Sequence, residues 1–113
     1  IMGQNSTEVA YGFGQLGSGF TDQTEEVTAP AGKVIVAITF LADTTFTSMT
    51  ADTKNAEIAY FSNASAGAGN GAGASEIDNT TVFPAGLTVY GRWTKVDPAA
   101  ASTTGGIICY FGQ

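Results

Sequence analysis

Residues 33–42 read Lys-Val-Ile-Val-Ala-Ile-Thr-Phe-Leu-Ala. Val34, Val36, Ile38 and Phe40 alternate onto one face, while Ile35, Ala37 and Leu41 fall on the other. A strand that is apolar on both faces needs cover on both, which places it at the centre of a β-sheet. No comparable helical signal occurs anywhere in the chain. Runs of β-branched and aromatic residues recur instead, separated by Gly, Pro, Asn or Asp, which is the pattern of strands and turns.

Further strands are expected at 7–13, 44–49, 56–62, 87–96 and 104–111. Within 87–96, Leu87, Val89 and Trp93 point one way, and Thr88, Tyr90, Arg92 and Thr94 the other, as in a strand with one wet or contact-making face. The expected fold is all-β: a small antiparallel β-sandwich or jelly-roll-like barrel of about seven strands, with an extended Gly-rich N-terminal arm. Residues 1–20 are assigned to the arm and first strand, and 21–113 to a single β domain. Val34, Val36, Ile38, Phe40, Leu87, Val89 and Trp93 form its expected core. Two segments, Thr28-Ala29-Pro30-Ala31-Gly32 and Val82-Phe83-Pro84-Ala85-Gly86, deliver the chain into the two longest strands by the same Pro-x-Gly turn chemistry. The strands they lead into fit a pseudo-twofold relation, as between opposed sheets, or a coincidence of turn sequence. Residues 64–75 contain only Ala, Ser, Gly and Asn and read as a long loop.

Charge narrows the functional classes. The chain of 113 residues carries ten carboxylates against four cations, a net charge of −6, and only 12% of its residues are charged. Binding to nucleic acid depends on Lys and Arg neutralising phosphates, and four scattered cations make no such patch. The same scarcity disfavours attachment to an anionic membrane. No apolar stretch has the length of a membrane-spanning helix, and no signal peptide is read at the N-terminus. Few Lys and Glu for a surface of this size suggest partial cover by a partner.

Catalytic constellations fail one by one. Cys109 lies in an apolar run and reads as a buried, inert thiol, and with no histidine in the chain neither Cys nor Ser has its usual base. Gly12-Phe13-Gly14-Gln15-Leu16-Gly17 matches G-x-G-x-x-G, but Ser18-Gly19-Phe20-Thr21-Asp22 does not begin the helix that phosphate binding requires. Glu25 and Glu26 face opposite ways on a strand, and Glu76 and Asp78 flank the flexible loop. Asp43, Asp52, Glu57, Glu76, Asp78 and Asn79 offer oxygens without forming a calcium-loop motif. No catalytic role, cofactor or metal is expected. The sequons at Asn5, Asn63 and Asn79 read as chance matches in a Ser- and Thr-rich chain.

What remains is contact chemistry. Tyr90 and Arg92 share a strand face, and Tyr and Arg are residue types that carry interface energy. Tyr11, Phe13, Leu16 and Phe20 of the N-terminal segment complete the expected interface, the arm reaching a neighbouring molecule by strand addition. A sugar-binding platform at Trp93 or Tyr90 is the reading from another class, and packing of Tyr90 and Arg92 over a second sheet is the purely structural one.

The segment Phe83-Pro84-Ala85-Gly86-Leu87-Thr88-Val89-Tyr90-Gly91-Arg92-Trp93, with the closing strand Ile108-Cys109-Tyr110-Phe111-Gly112, resembles small structural proteins of tailed bacteriophages. The resemblance covers the last third of the chain. It implies a β-rich head decoration (cement) protein on the outer surface of the capsid, which binds the lattice of the major capsid protein and copies of itself in a homo-oligomer such as a trimer. A tail or fibre component is the alternative within the virion. Neither nucleic acid nor membrane is an expected partner.

Overall fold

The computed structural model describes residues 15–52, 60–64 and 67–113. Six strands are found there: β1 (Ser18–Thr21), β2 (Val27–Thr28), β3 (Val34–Phe40), β4 (Phe46–Ala51), β5 (Thr88–Pro98) and β6 (Ile107–Gly112). The only helical element among the described residues is a short 3-10 turn at Ala68–Asn70. All strand pairs are antiparallel and belong to one sheet. That sheet curls into a nearly closed, barrel-like shape. The barrel, not the two-layer sandwich, is therefore the form adopted.

β3 occupies the central position its composition calls for, between β5 and β6. β6 continues to β1 at one edge. The second half of β5 holds β2 on one side and β4 on the other, since Val96 is opposite both Val27 and Met49. The core is the inside of this curl. Ile35, Ile38 and Phe40 meet Phe46, Met49, Trp93, Val96, Ile107, Cys109 and Phe111, and Phe83 closes the cluster from the segment before β5. Phe83 stacks on Phe40 with ring centroids 5.0 Å apart, and Phe46 meets both rings edge-on.

Strict alternation along β3 does not survive. Ile35 is opposite Trp93 and Phe111, whereas Ala37 is opposite Tyr90 and Tyr110, so the register shifts at Val36. A bulge adds one residue and resets which side chains face inward. Ile35 thereby joins Ile38 and Phe40 in the core, while Val34 and Val36 are buried outside the cluster. Leu87, expected inside, is 38% exposed because it belongs to the turn and precedes β5. Val89 packs against the core from a half-buried position.

The two Pro-x-Gly turns form as their sequences dictate. Lys33 N–H donates to Pro30 O (3.0 Å) and Leu87 N–H to Pro84 O (3.3 Å). Gly32 and Gly86 take φ of 78° and 89° at the third turn position, where a positive φ favours glycine. The strands they feed, β3 and β5, pair directly as neighbours and are not in opposed sheets. Residues 67–74 close on themselves through Gly67 N–H to Ala74 O (3.0 Å), as a loop.

The expected strand at 44–49 begins at Phe46, with Thr44 making only an isolated bridge to Phe83. Of the strand expected at 56–62, residues 56–59 lie outside the described residues, and Tyr60–Ser62 is not a strand. The first fourteen residues, with Tyr11 and Phe13, also lie outside them. Leu16 to Phe20 do not reach away as an arm. Leu16 N–H donates to Phe111 O (3.3 Å), Phe111 N–H donates to Gly17 O (2.8 Å), and β1 then pairs with β6. An open β6 edge would leave backbone groups unpaired, and this segment supplies the partners.

Candidate functional site

Residues directly opposite one another in neighbouring strands point to the same face of a sheet. The register therefore assembles the outer face row by row. Ser18, Tyr110, Ala37 and Tyr90 form one row across β1, β6, β3 and β5. Phe20, Ile108, Thr39 and Thr88 form the next. The alternate residues Gly19, Cys109, Ile38 and Val89 face inward, which fixes the assignment from the other side.

None of the eight outer-face side chains is charged at neutral pH. Phe20 is 58% exposed and Tyr90 is 62% exposed, the two most exposed large apolar residues among those described. Thr39 and Thr88 share a hydroxyl–hydroxyl hydrogen bond of 2.9 Å. Above buried Ala37, and bounded by Tyr90, Tyr110, Thr39 and Thr88, lies a shallow slot of about 260 Å³. Exposed aromatic rings on an uncharged face are groups that gain most from being covered.

Two of the expected interface residues, Phe20 and Tyr90, are thus brought together on one face. Leu16 and Arg92 are not part of it. Leu16 is half-buried, and its carbonyl accepts from Lys33 Nζ (3.3 Å). Arg92 is tied to its own chain: Nη2 meets Asp52 Oδ2 at 3.2 Å, and Nη1 donates to Gln113 O. Sequence pattern could not show this, because Asp52 is forty positions away from Arg92. Tyr110, Ile108, Ala37 and Thr39 were missed as members of the face, whereas Thr88 was already read onto the same side of its strand as Tyr90. The period of two in residues 107–111 carried the signal for Ile108 and Tyr110, since Ile107, Cys109 and Phe111 share the inward side.

The Arg92 bridge is expected to matter for stability. Arg92→Ala strips the guanidinium from a carboxylate only 5% exposed. Because Arg92 itself is about a third exposed, solvent moderates the loss, and the expected cost is about 1–3 kcal/mol. Chemical denaturation measures it, and Asp52→Asn in the same chain should cost less than the sum of the two single changes. An unmoved midpoint for Arg92→Ala would make Arg92 available again as a contact residue.

The remaining candidates separate. Trp93 is fully buried, its Nε1–H donating to Phe61 O (2.9 Å), so it offers no platform to a sugar. Asp43 accepts from the N–H of Ala85 (2.9 Å). Asp78 caps its own turn, and the Thr80 hydroxyl and N–H hold its carboxyl below the usual range. Glu57 lies outside the described residues, and no metal-holding cluster occurs among those described. Burial pushes the Cys109 thiol from 9.0 up to about 12, which removes the thiolate a nucleophile needs. A larger cleft of about 720 Å³ opens between Asp22, Leu41, Asp43, Val82 and the 100–104 loop. Its side chains are mostly small and hydroxylic.

No known family model, curated protein or solved structure matches this chain.

Proposed function

We propose that this chain is a capsid decoration protein of a tailed bacteriophage, which sits on the outer surface of the head and stabilises the lattice of the major capsid protein. The observation that carries the reading is the uncharged sheet face with Phe20 and Tyr90 exposed on it. Covering such a face needs a protein surface of similar character, and no ionic contact is required to hold it. The resembling segment supports the same reading, since Phe83 anchors its start in the core and Thr88 and Tyr90 present its outward side chains to that face. A net charge of −6 suits the outside of a shell packed with DNA.

A ligand that binds only the intact shell must raise the shell's resistance to disruption. Particles carrying the protein are expected to release DNA at a higher temperature than particles stripped of it. The difference should persist at ~1 M salt, where the Debye length shrinks to about 3 Å and attachment through exposed charges fails. Equal release temperatures would reject the decoration role. Protection that disappears in high salt would keep the role and move the contact away from the uncharged face.

A further inference from the structure

The cleft of about 720 Å³ has no part in the contact-face reading. It lies at a rim of the sheet, where β1 and β3 end, β4 and β6 begin, and residues 99–106 cross from β5 to β6. The mouths of β-barrels are common places for a ligand. Backbone bonds fix the walls before anything binds. Ser102 N–H donates to Asp22 O (2.8 Å), Ala99 N–H to Thr45 O (2.9 Å) and Leu41 N–H to Gly106 O (2.8 Å). Gly106 lines the cleft without a side chain, and none fits there, since a Cβ would strike Thr21 O.

The charge of the cleft is all of one sign. Asp22 and Asp43 line it, and no Lys or Arg does among the described residues. The described cations are engaged elsewhere: Lys33 on Leu16 O, Arg92 on Asp52, and Lys95 beside Glu26 at 3.8 Å. Asp22 Oδ1 accepts from the Gln23 side-chain amide (3.0 Å), and Asp43 Oδ1 from Ala85 N–H (2.9 Å). Oδ2 of neither carboxylate has a partner among the described residues.

The same walls expose apolar surface. Leu41 is 45% exposed and Val82 56%, and both border the cleft. The hydroxyls of Thr45 and Thr103 line it as well, with no bond to any described residue. A ligand that suits all three features has a cationic head, an aliphatic stem and backbone amides. Lys and Arg lay their methylene stems on apolar surface while the charged head reaches a polar partner. Head and carboxylate then form charge-assisted hydrogen bonds, roughly twice as strong as neutral ones. The free hydroxyls both donate and accept, and so can serve a peptide's N–H and C=O groups.

We infer that this cleft binds an extended, Lys- or Arg-bearing segment of a partner protein, its basic side chains on Asp22 and Asp43 and their stems against Leu41 and Val82. A chain of net charge −6 draws such a segment in from a distance. The inference uses neither the outer face nor the shell reading, and goes beyond both.

Titration calorimetry of the full chain with the peptide acetyl-Val-Lys-Leu-Lys-Val-amide tests this. Saturable binding of one peptide per chain is expected at low salt, with a Kd on the order of 1 mM or below. At ~1 M salt it should weaken at least tenfold, since exposed charges are screened. The same peptide with norleucine for lysine keeps the stems, lacks the heads, and should bind at least tenfold more weakly. Asp22→Asn combined with Asp43→Asn keeps an acceptor for Ala85 N–H and removes both charges. That variant, checked for cooperative unfolding, should lose binding to the same extent. Glu25→Gln combined with Glu76→Gln removes as much charge away from the cleft and should bind as the wild type does. Absence of saturable binding up to about 10 mM peptide overturns the inference. Equal binding by the norleucine peptide overturns it too, as does an equal loss in the two double variants, which would show attraction to net charge alone. Spermine binding as tightly as the peptide would give the cleft to a polyamine, and saturation transfer to neutral methyl glycosides at Leu41 would give it to a sugar. Either result overturns the inference.

Discussion

Replacing Trp93 with alanine is expected to lower the unfolding free energy by about 3–5 kcal/mol, the range for removing a fully buried large side chain. The indole has no exposed surface, its N–H is satisfied by Phe61 O at 2.9 Å, and it meets the Phe61 ring edge-on at 5.2 Å. Truncation therefore opens a cavity and strands a carbonyl as well. For a domain of this size the total is of order 5–15 kcal/mol, so the variant should be partly unfolded at physiological temperature. Trp93→Phe keeps most of the apolar volume and loses the hydrogen bond, and it should fall between alanine and wild type. The indole also explains its neighbour two positions back. A Cβ on Gly91 would lie 2.7 Å from the Trp93 ring, so Gly91→Ala should cost about 1–3 kcal/mol by overpacking. Guanidinium titrations followed by circular dichroism give all three values. A Trp93→Ala midpoint within error of wild type would mean that Trp93 does not face the inside of the barrel.

How much of this was legible in the sequence differs from strand to strand. β3 announced itself, because two apolar faces admit only a central position, and Trp93 followed from plain alternation. The two Pro-x-Gly turns were equally readable, since their backbone demands are local. The bulge at Val36 was not, because an inserted residue leaves each stretch alternating normally and changes only the phase between them. Sandwich and barrel share the same alternation, and curl is decided by twist and register between strands, not within one. The contact face shows the limit most clearly. The sequence offers Tyr90 beside Arg92 on one strand face and Phe20 in an N-terminal arm, but the row Ser18–Tyr110–Ala37–Tyr90 spans four strands from distant parts of the chain. Its slot exists only through that register. Arg92 looked like a contact residue on type alone, and only the fold discloses the carboxylate that holds it.

Raising the pH should expose the burial of Cys109 as a loss of stability specific to that residue. The thiol has no exposed surface, lies opposite Ile38 in the middle of β6, and is held up to about 12 against 9.0 for a solvated thiol. Between those two values the unfolded chain gives up the proton and the folded chain keeps it. The folded state then binds more protons than the unfolded state, and by linkage stability must fall as pH rises. Below pH 9 the group has no effect. By pH 12 the loss approaches about 4 kcal/mol, since each pH unit between the two values is worth about 1.36 kcal/mol. The comparison must cancel every other group of the chain. Cys109→Ala does so: every other alkaline group is shared, and only the thiol is gone. At neutral pH the alanine protein should be less stable by roughly 1 kcal/mol, because it leaves a small cavity. Near pH ~10 the two stability curves should cross, and at pH ~11 the alanine protein should be the more stable by roughly 1–2 kcal/mol. Urea titrations of both proteins from about pH 8 to about pH 11 decide the matter. Curves that stay parallel across that range would show that the thiolate is accommodated inside the fold, and that β6 opens to solvent at Cys109.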